Sequence, residues 1–561
     1  MEKQYQWESQ KYLERLEGAC FRSLYKGMGY SDYDLERPII GIANSWNTVT
    51  PGHYNLKQVA ESVKQGIYQA GGTPAEFGII GPCDAMGCGN DGMHYCLPAR
   101  DIIANEVELM ARITHVDALV LLGSCDKIIP GLLMGAARLD IPCLIVNGGP
   151  MLGGVIFDGR ASDNATPAEA LGMLQTGEIT REEFDKLEDG CMPCVGSCSF
   201  LGTANTMCCF TEALGMSLPG SAVIPAVMAE RFRVAQESGR RIVSMVHEKL
   251  TARKIINKKG LENAIRLGMA IGGSTNMALH IPAIAYEAEC EEIDLKAVNE
   301  IAHNTPHLAN IYPAGEHNVP DFYERGGVPA VMKHLLPLLH ADAMTVAGKT
   351  WGEVLENVPA VENDMVHSLE HPWHPFGGIS VLHGNLAPMG GVTKPTAIDD
   401  SMQTFTGTAR CFNCEEEATV AVMSGSIKPG TILVIRYEGP KGGPGMREMV
   451  RIMKMLVGQR LNLSTAVITD GRFSGSNNGC FVGHISPEAI EGGPIAIVED
   501  GDEITIDIPN GSITLNVPDE EIARRKAAWK APKRKELKGY LNIYARLAAS
   551  ASEGAIIRNR D

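Results

Sequence analysis

The amino-acid sequence predicts an α/β protein with two domains. Residues 1–370 are expected to form a doubly wound parallel sheet with helical additions, and residues 371–561 a β-rich, barrel-like domain. Three observations support this prediction. The chain has 561 residues, which is too many for one hydrophobic core. Its first part alternates short apolar runs with longer helical stretches, and its last part carries short β runs between turn sequences.

Four apolar runs in the first part are predicted to be strands. They are PIIGIANSWN (38–47), the start of FGIIGPCDAMG (77–87), the start of VDALVLLGSCDK (116–127) and IPCLIVNGGPM (141–151). Helices are predicted between them over 55–71, 99–113 and 130–140, with Pro130 opening the last one. Such alternation indicates a parallel sheet, whose ligands gather at the carboxyl ends of the strands. We therefore expect one edge of the sheet to carry Asn44, Ser45, Cys83, Asp84, Cys125–Lys127 and Asn147.

The rest of the chain changes in texture. Residues 180–370 are predicted to be mostly helical, with glycine-rich breaks such as AIGGSTNMALH (270–280). Short β runs then follow at TILVIRYEG (431–439), STAVITDGR (464–472) and PIAIVEDGDEITIDIPNGSITLNV (494–517). A charged surface helix is predicted over 519–532.

Composition excludes several classes of partner. The net charge of −17, from 50 Lys and Arg against 67 Asp and Glu, argues against nucleic acid or an anionic membrane as the main partner. The first residues lack a signal-peptide pattern, and no apolar run approaches the ~18 residues of a membrane span. A cytoplasmic location is expected. Fifteen cysteines in a reducing compartment favour metal, cluster or catalytic chemistry over disulfides for some of them.

Five of these cysteines lie in GCMPCVGSCSFLGTANTMCC (190–209). The spacing of Cys191 and Cys194 is a weak zinc signal, because the second pair that zinc needs, CFNC at 411–414, belongs to the other predicted domain. An iron–sulfur cluster suits the thiols better. A buried packing thiol is the alternative for any one of them.

Two further stretches carry polar residues in glycine-rich surroundings. YEGPKGGPGMREM (437–449) lacks the Walker pattern, but its Glu438 and Glu448 are oxygen ligands of the kind that magnesium prefers. TDGRFSGSNNG (469–479) places Ser474 after an apolar strand, where a serine is either a turn residue or a reactive hydroxyl.

Several long motifs in a fixed order resemble one family. GSCDKIIPG (123–131), GSCSFLGTANTM (196–207), GGSTN (272–276), IRYEGPKGGPGM (435–446) and ITDGRFSG (468–475) together look like the dihydroxy-acid dehydratase and sugar-acid (phosphogluconate, aldonate) dehydratase family. The resemblance extends over nearly the whole chain. It implies an enzyme with an iron–sulfur cluster and Mg²⁺ in the first domain and a catalytic serine in the second.

The resemblance implies a role for particular residues. Cluster ligands match Cys125 and Cys198; magnesium ligands match Asp84, Asp126 and Glu448, with Lys127 as a lysine that the family carbamylates; the proton acceptor matches Ser474. Members with a 2Fe–2S cluster carry a third cysteine where this chain has Gly52. Cys83 is the preferred third ligand, because similar phosphogluconate dehydratases also place a cysteine before the aspartate. Cys194 and a non-cysteine ligand are alternatives, and the cluster is either 2Fe–2S or 4Fe–4S.

The implied reaction is the dehydration of a 2,3-dihydroxy carboxylic acid to a 2-keto acid. RSLYKGMG (22–29) favours the dihydroxy-acid dehydratase of branched-chain amino-acid biosynthesis, whereas CSFLGTANT (198–206) resembles the aldonic-acid dehydratases of sugar catabolism. A non-enzymatic iron–sulfur sensor and a zinc hydrolase are more distant alternatives. The resemblance also implies a homodimer or homotetramer that binds a small polyhydroxy acid.

Overall fold

The computed structural model describes residues 6–14, 16–473, 475, 478–533 and 537–558. Its strands are β1 Ile39–Asn44, β2 Thr73–Gly78, β3 Ala118–Leu122, β4 Cys143–Val146, β5 Ile156–Phe157, β6 Arg160–Ala161, β7 Ser380–Leu382, β8 Gly391–Thr393, β9 Thr404–Phe412, β10 Thr431–Ile435, β11 Ala466–Thr469, β12 Cys480–Val482, β13 Glu503–Asp507 and β14 Ser512–Leu515.

Its α-helices connect and cover these strands. They are α1 Gln10–Leu13, α2 Ala19–Gly27, α3 Asp32–Leu35, α4 Leu56–Gln69, α5 Asp84–Gly87, α6 Met93–Thr114, α7 Ile128–Leu139, α8 Thr166–Thr176, α9 Arg181–Gly190, α10 Thr203–Leu214, α11 Ala229–Glu248, α12 Lys258–Ala270, α13 Met277–Glu287, α14 Leu295–His303, α15 Val319–Glu324, α16 Gly327–Leu335, α17 Trp351–Leu355, α18 Glu415–Met423, α19 Val450–Gly458, α20 Asp519–Ala528 and α21 Gly539–Leu547.

The first sheet is parallel, as predicted, with strand order β2-β1-β3-β4 among the described residues. Strands β1, β3 and β4 are buried along their whole length, which is typical of a parallel sheet covered on both faces. Helix α4 packs against α11, and α6 packs against α7. The doubly wound arrangement of these helices stays a prediction.

Two predicted elements differ in their bounds. The second strand is predicted to begin at Phe77, but β2 spans Thr73–Gly78. It lies at the edge of the sheet, where its first two residues are buried and the next four alternate between half-buried and exposed, so no apolar run marks it. Helix α7 begins at Ile128 rather than at Pro130, which leaves the proline within the first turn, where its missing N–H has no helical acceptor.

The second sheet is mixed and curled. Its order is β12-β11-β10-β9-β13-β14, with parallel pairing from β12 to β9 and antiparallel pairing from β9 to β14. The hairpin β7–β8 reaches both edges, since His383 after β7 bridges to Ser512 of β14 and Val392 of β8 bridges to Gly483 after β12. The barrel-like prediction therefore holds as a curled mixed sheet, while the boundary at residue 370 stays a prediction.

Separate cores stabilise the two sheets. One large apolar cluster joins the first sheet to the helices of the middle region, and two smaller clusters pack on the second sheet. Within the described ranges, no helix is long and apolar enough to cross a membrane.

Candidate active site

The first sheet delivers thiols and carboxylates to one small cavity. Cys125 and Asp126 lie between the end of β3 and the start of α7, and Cys83 precedes Asp84 at the start of α5. All four line a cavity of about 70 Å³. The expectation that reactive side chains gather beyond the carboxyl ends of the strands is thus confirmed for these four.

Other residues of that sheet edge serve the fold. Asn44 donates to Glu76, Ser45 donates to the carbonyl of Leu122, and Asn147 donates to the carbonyl of Ala222. These contacts fix the loops that surround the cavity.

Glu448 enters the cavity from the second sheet. It lies between β10 and α19 and forms a β-bridge with Arg472, which follows β11. The side chain of Glu448 is 3% exposed, and that of Arg472 is fully buried. The cavity is therefore built from both sheets, and neither sheet alone supplies its residues.

The three carboxylates converge. Oxygen atoms of Asp84, Asp126 and Glu448 lie within 4.8 Å of one another, a spacing that could hold a metal ion. Lys127 Nζ lies 2.7 Å from Asp84 Oδ2 and 3.5 Å from Asp126 Oδ2. Arg472 donates to Asp84 over 2.8 Å and also to Glu448. The two cations balance most of the negative charge at this end of the cavity.

Burial and ion pairing act against each other on these carboxylates. Burial favours protonation of Asp84, but Lys127 and Arg472 outweigh it and hold the pKa of Asp84 below its ordinary value. Burial dominates at Asp126 and Glu448 and raises the pKa of each. Three carboxylates face two cations here, so the fully ionised cluster carries an excess of negative charge, which favours uptake of a cation.

Thiols occupy the other end of the cavity. Among the described residues, Cys83, Cys125 and Cys198 line it and influence one another's pKa, whereas Cys88 lines the cavity near Glu448. The Cys125 thiol hydrogen-bonds to the Cys83 sulfur, which lowers the pKa of Cys83 and raises that of Cys125. Burial raises the pKa of Cys198 well above its ordinary value. Cys194 is outside this lining, and its sulfur accepts a hydrogen bond from the Leu152 N–H.

Position 52 faces the same thiols. A Cβ atom on Gly52 would lie 2.5 Å from Cys125 Sγ, so the Cys125 thiol fills the space that a side chain there would need. The ring of His53 accepts a hydrogen bond from the Cys125 N–H over 3.4 Å. Burial lowers the pKa of His53 to about 4, which keeps the ring neutral and able to accept.

Ser474 lies outside the described residues. Of its two chain neighbours, Gly475 packs against a lining residue of the cavity, and Phe473 is held by a residue outside the lining. Thr275 Oγ1 donates to the carbonyl of Phe473 over 3.2 Å, and a Cβ atom on Gly475 would lie 2.9 Å from the α-carbon of Gly202, a lining residue.

Sequence reasoning missed four residues of the site. Arg472 pairs with two carboxylates, Asn276 donates to Glu448 over 3.1 Å and to Thr203 over 2.9 Å, and Cys88 lines the cavity. Three of them belong to motifs already quoted, namely TDGR, GGSTN and GTANT. Their motifs signalled importance, but not which side chain faces the cavity.

The matches to family models define the class of this protein. The model for the N-terminal region of the dihydroxy-acid/6-phosphogluconate dehydratases matches residues 37–354, and the model for their C-terminal region matches residues 364–555. The chain belongs to this dehydratase family.

Individual relatives narrow the comparison. The dihydroxy-acid dehydratases of Pyrococcus furiosus, Caldanaerobacter subterraneus subsp. tengcongensis and Acetivibrio thermocellus are 50%, 49% and 48% identical to it. Each alignment covers 97% of this chain and 98% of the relative. The resemblance seen in the motifs is confirmed over nearly the whole length.

Proposed function

We propose that this protein is a hydro-lyase that dehydrates a 2,3-dihydroxy carboxylic acid to a 2-keto acid, and that it is the dihydroxy-acid dehydratase of branched-chain amino-acid biosynthesis. The observation that carries the proposal is the cavity in which three carboxylates and four thiols meet. The names of the relatives at 48–50% identity support the same substrate class.

The residues present fit two bound groups. Asp84, Asp126 and Glu448 offer hard oxygen ligands for Mg²⁺, and carbamylation of Lys127 would turn the ammonium beside Asp84 into a further oxygen ligand. Cys83, Cys125 and Cys198 would hold an iron–sulfur cluster of the 2Fe–2S or 4Fe–4S type. When bound, the two groups supply Lewis acidity toward the substrate carboxylate and the hydroxyl that leaves.

Residues of the chain itself prepare the reaction. The buried cavity keeps bulk water away from the reacting carbons. Exclusion of water strengthens the electrostatic interactions inside the cavity. Asn276 and Arg472 fix the orientation of Glu448. Ser474 accepts the α-proton and passes it to the departing β-hydroxyl, which leaves as water, and the remaining enol becomes the 2-keto acid.

The wall of the cavity favours an alkyl substrate over a sugar acid. Ala85, Ala165, Ala168, Phe200 and Val450 line it. The lining also holds the polar side chains of Asn164 and Thr203, but an aldonate would bury some of its further hydroxyls against the five apolar side chains, which costs free energy. A branched alkyl group gains from the same contacts.

Anaerobic turnover with magnesium tests the proposal directly. The panel holds 2,3-dihydroxyisovalerate, gluconate, galactonate, arabinonate and xylonate, with 2-keto acid as the product measured and Ser474→Ala as the control. We expect turnover of dihydroxyisovalerate that is lost in the control. Preference for an aldonate would move the enzyme to sugar catabolism. Silence across the panel with an intact cluster would contradict the enzyme assignment and favour a sensor.

We also propose a cytoplasmic homodimer or homotetramer. Helix α6 leaves Tyr95, Leu109 and Ile113 more than half exposed, which is unusual for large apolar side chains on one helix. Sedimentation velocity measures the assembly, and a monomer at micromolar concentration would contradict it.

A further inference from the structure

Asn164 is a polar residue of the cavity wall that the proposed reaction leaves without a role. It lies between β6 and α8, and its side chain lines the cavity. Its Oδ1 atom is buried and has no hydrogen-bond partner. Among the described lining residues, it is the only one with a buried side-chain oxygen or nitrogen in this condition.

A buried amide oxygen without a partner is costly to the fold. The group gives up its hydrogen bonds to water on folding and gains none in return. A buried group of this kind calls for an explanation, and a position in the wall of a substrate cavity supplies one. A bound ligand would restore the missing hydrogen bond.

The other neutral polar side chain of the lining is already occupied. Thr203 Oγ1 lies 2.8 Å from Ser274 Oγ and accepts a hydrogen bond from the Asn276 amide over 2.9 Å. The carboxylates and thiols of the lining form the two ends of the cavity described above. Within the described lining, Asn164 is therefore the side chain left to recognise a further neutral polar group.

The loop that carries Asn164 is held on both sides. Asp163 Oδ1 accepts hydrogen bonds from the N–H groups of Ala165 and Thr166 over 2.7 and 3.1 Å. Arg160 donates to Asp163 Oδ2 over 3.0 Å. The backbone next to Asn164 is thus fixed by its neighbours, and its amide is presented to the cavity before a ligand binds.

Asn164 belongs to the apolar part of the wall. Ala165 and Ala168, from the same stretch of chain, line the cavity, and so does Phe200. In the proposed reaction, the carboxylate and the two hydroxyls that react belong to the charged and thiol ends, so the apolar side chains face the rest of the substrate. A hydroxyl there both donates and accepts and can pair with either end of an amide, whereas an alkyl group can do neither.

We propose that Asn164 is a specificity-determining residue that binds one hydroxyl group on the substrate carbon next to the two that react. The inference rests on the proposed function and extends its substrate range to 2,3,4-trihydroxybutanoate. In that reaction the α-C–H bond and the β-C–O bond break, and the α-proton leaves with the β-hydroxyl as water. The C4 hydroxyl is retained, and the product is 4-hydroxy-2-ketobutanoate.

The same wall limits how many hydroxyls the substrate can carry. The cavity is small, at about 70 Å³, and Asn164 offers a partner to one further hydroxyl. The remaining hydroxyls of a pentonate or hexonate would meet apolar side chains, which costs free energy. We expect turnover of 2,3,4-trihydroxybutanoate to exceed that of arabinonate and gluconate.

Steady-state kinetics of the reconstituted enzyme on a matched pair of substrates test this role. 2,3,4-Trihydroxybutanoate and 2,3-dihydroxybutanoate differ only in the C4 hydroxyl, and both give a 2-keto acid. The variants are Asn164→Leu, which keeps a branched shape without polar atoms, and Asn164→Ala. We expect kcat/KM for the trihydroxy acid, divided by that for the dihydroxy acid, to fall by at least about tenfold in both variants.

Ser162→Ala is the matched control. Ser162 lies two residues earlier in the same loop, is fully buried, and its Oγ also has no hydrogen-bond partner, but it is absent from the described cavity lining. Its removal should leave the ratio of the two substrates unchanged. Iron and acid-labile sulfide per chain show whether each variant holds its cluster.

Two results would overturn the inference while the proposed function stands. One is an equal loss of kcat/KM for both substrates in the Asn164 variants, which is the mark of a structural role. The other is a wild type that dehydrates 2,3-dihydroxyisovalerate but not 2,3,4-trihydroxybutanoate. A wild type that turns over no substrate defeats the proposed function instead.

A crystal structure of the wild type with 4-hydroxy-2-ketobutanoate bound decides the matter if neither Asn164 variant keeps its cluster. A C4 hydroxyl within hydrogen-bond distance of the Asn164 amide supports the inference. A C4 hydroxyl that contacts another part of the wall contradicts it.

Discussion

The two ends of the cavity differ in how their charge is balanced. At the carboxylate end, Asp84 and Glu448 already bind cations of the protein, through Lys127 and Arg472. At the thiol end, the described residues offer no cation; Cys83 and Cys125 share one hydrogen bond, and burial disfavours the thiolate of Cys198.

This difference separates a site that is prepared from one that must be completed. The ion pairs keep the carboxylates in place, so that end has its geometry before a metal binds. Buried thiols become thiolates only when a nearby positive charge stabilises them, and the irons of a cluster are such charges. We infer that the carboxylate end keeps its geometry when its metal ion is removed, whereas the thiol end becomes rigid only when a cluster is bound.

Removal of a thiol from the cavity should have the largest effect on the enzyme. We expect Cys125→Ser to lose its iron and its turnover. Its activity should fall by more than about 100-fold, since changes in residues that only support a metal ligand already cost up to that much. Iron and acid-labile sulfide per chain are the measurement. Cys209→Ser, a fully buried thiol on α10 away from the cavity lining, is the control. Equal iron in both variants would contradict the cluster assignment.

Removing a carboxylate should cost activity but not iron. Glu448→Gln takes one oxygen ligand from Mg²⁺, and a Lewis acid worth several kcal/mol corresponds to about 10²–10³-fold in kcat/KM. The matched control is Glu438→Gln, because burial raises the pKa of Glu438 to about 8 and the amide resembles its neutral form. A Glu448→Gln enzyme as active as Glu438→Gln would remove Glu448 from the metal site.

A methyl group at position 52 should affect the thiol end of the cavity and leave the carboxylate end unchanged. Gly52→Ala places a Cβ atom against Cys125 Sγ, and overpacking of this kind costs about 1–3 kcal/mol. We expect slower reconstitution of the cluster and an unchanged affinity for magnesium. Iron uptake over time measures the first, and a magnesium titration measures the second. Gly78→Ala serves as the control, since a Cβ atom there meets nothing within 4 Å. Equal reconstitution rates would mean that the thiol end adapts freely.

The smallest effect concerns the charge balance of two buried lysines, Lys394 after β8 and Lys454 on α19. A free lysine has a pKa of 10.5 and Lys394 about 7, so between these values the unfolded chain binds one more proton and stability rises with pH. Lys394→Met should therefore melt above the wild type by about 1–3 °C below pH 7, with a difference that shrinks toward pH 10. Differential scanning fluorimetry measures it.

Lys454→Met should do the opposite. Burial opposes the charge of Lys454, but Tyr312 and Glu169 outweigh it and raise its pKa, so its stabilisation is present below 10.5 and is lost above its folded pKa. The variant should melt below the wild type across pH 6–9. Parallel shifts in the two variants would show that the two lysines are balanced alike.

The family, the parallel first sheet and most of the residues around the cavity could be predicted from the amino-acid sequence. Apolar runs marked β1, β3 and β4 because these strands are buried on both faces, and SCDK stood where β3 ends. The motif order identified the dehydratase family, which the comparisons confirm.

Only the tertiary structure decided which side chains meet. Edge strand β2 escaped the pattern because it is half exposed. Arg472 and Asn276 contact Glu448 across long stretches of chain, and no local spacing encodes such a contact. Three further features depend on what the fold packs around each residue. Gly52 lies close to Cys125, Cys194 is absent from the described cavity lining, and Lys394 has no ion pair within the described residues. Burial and pairing arise from long-range packing, and these set both the charge and the chemistry of the site.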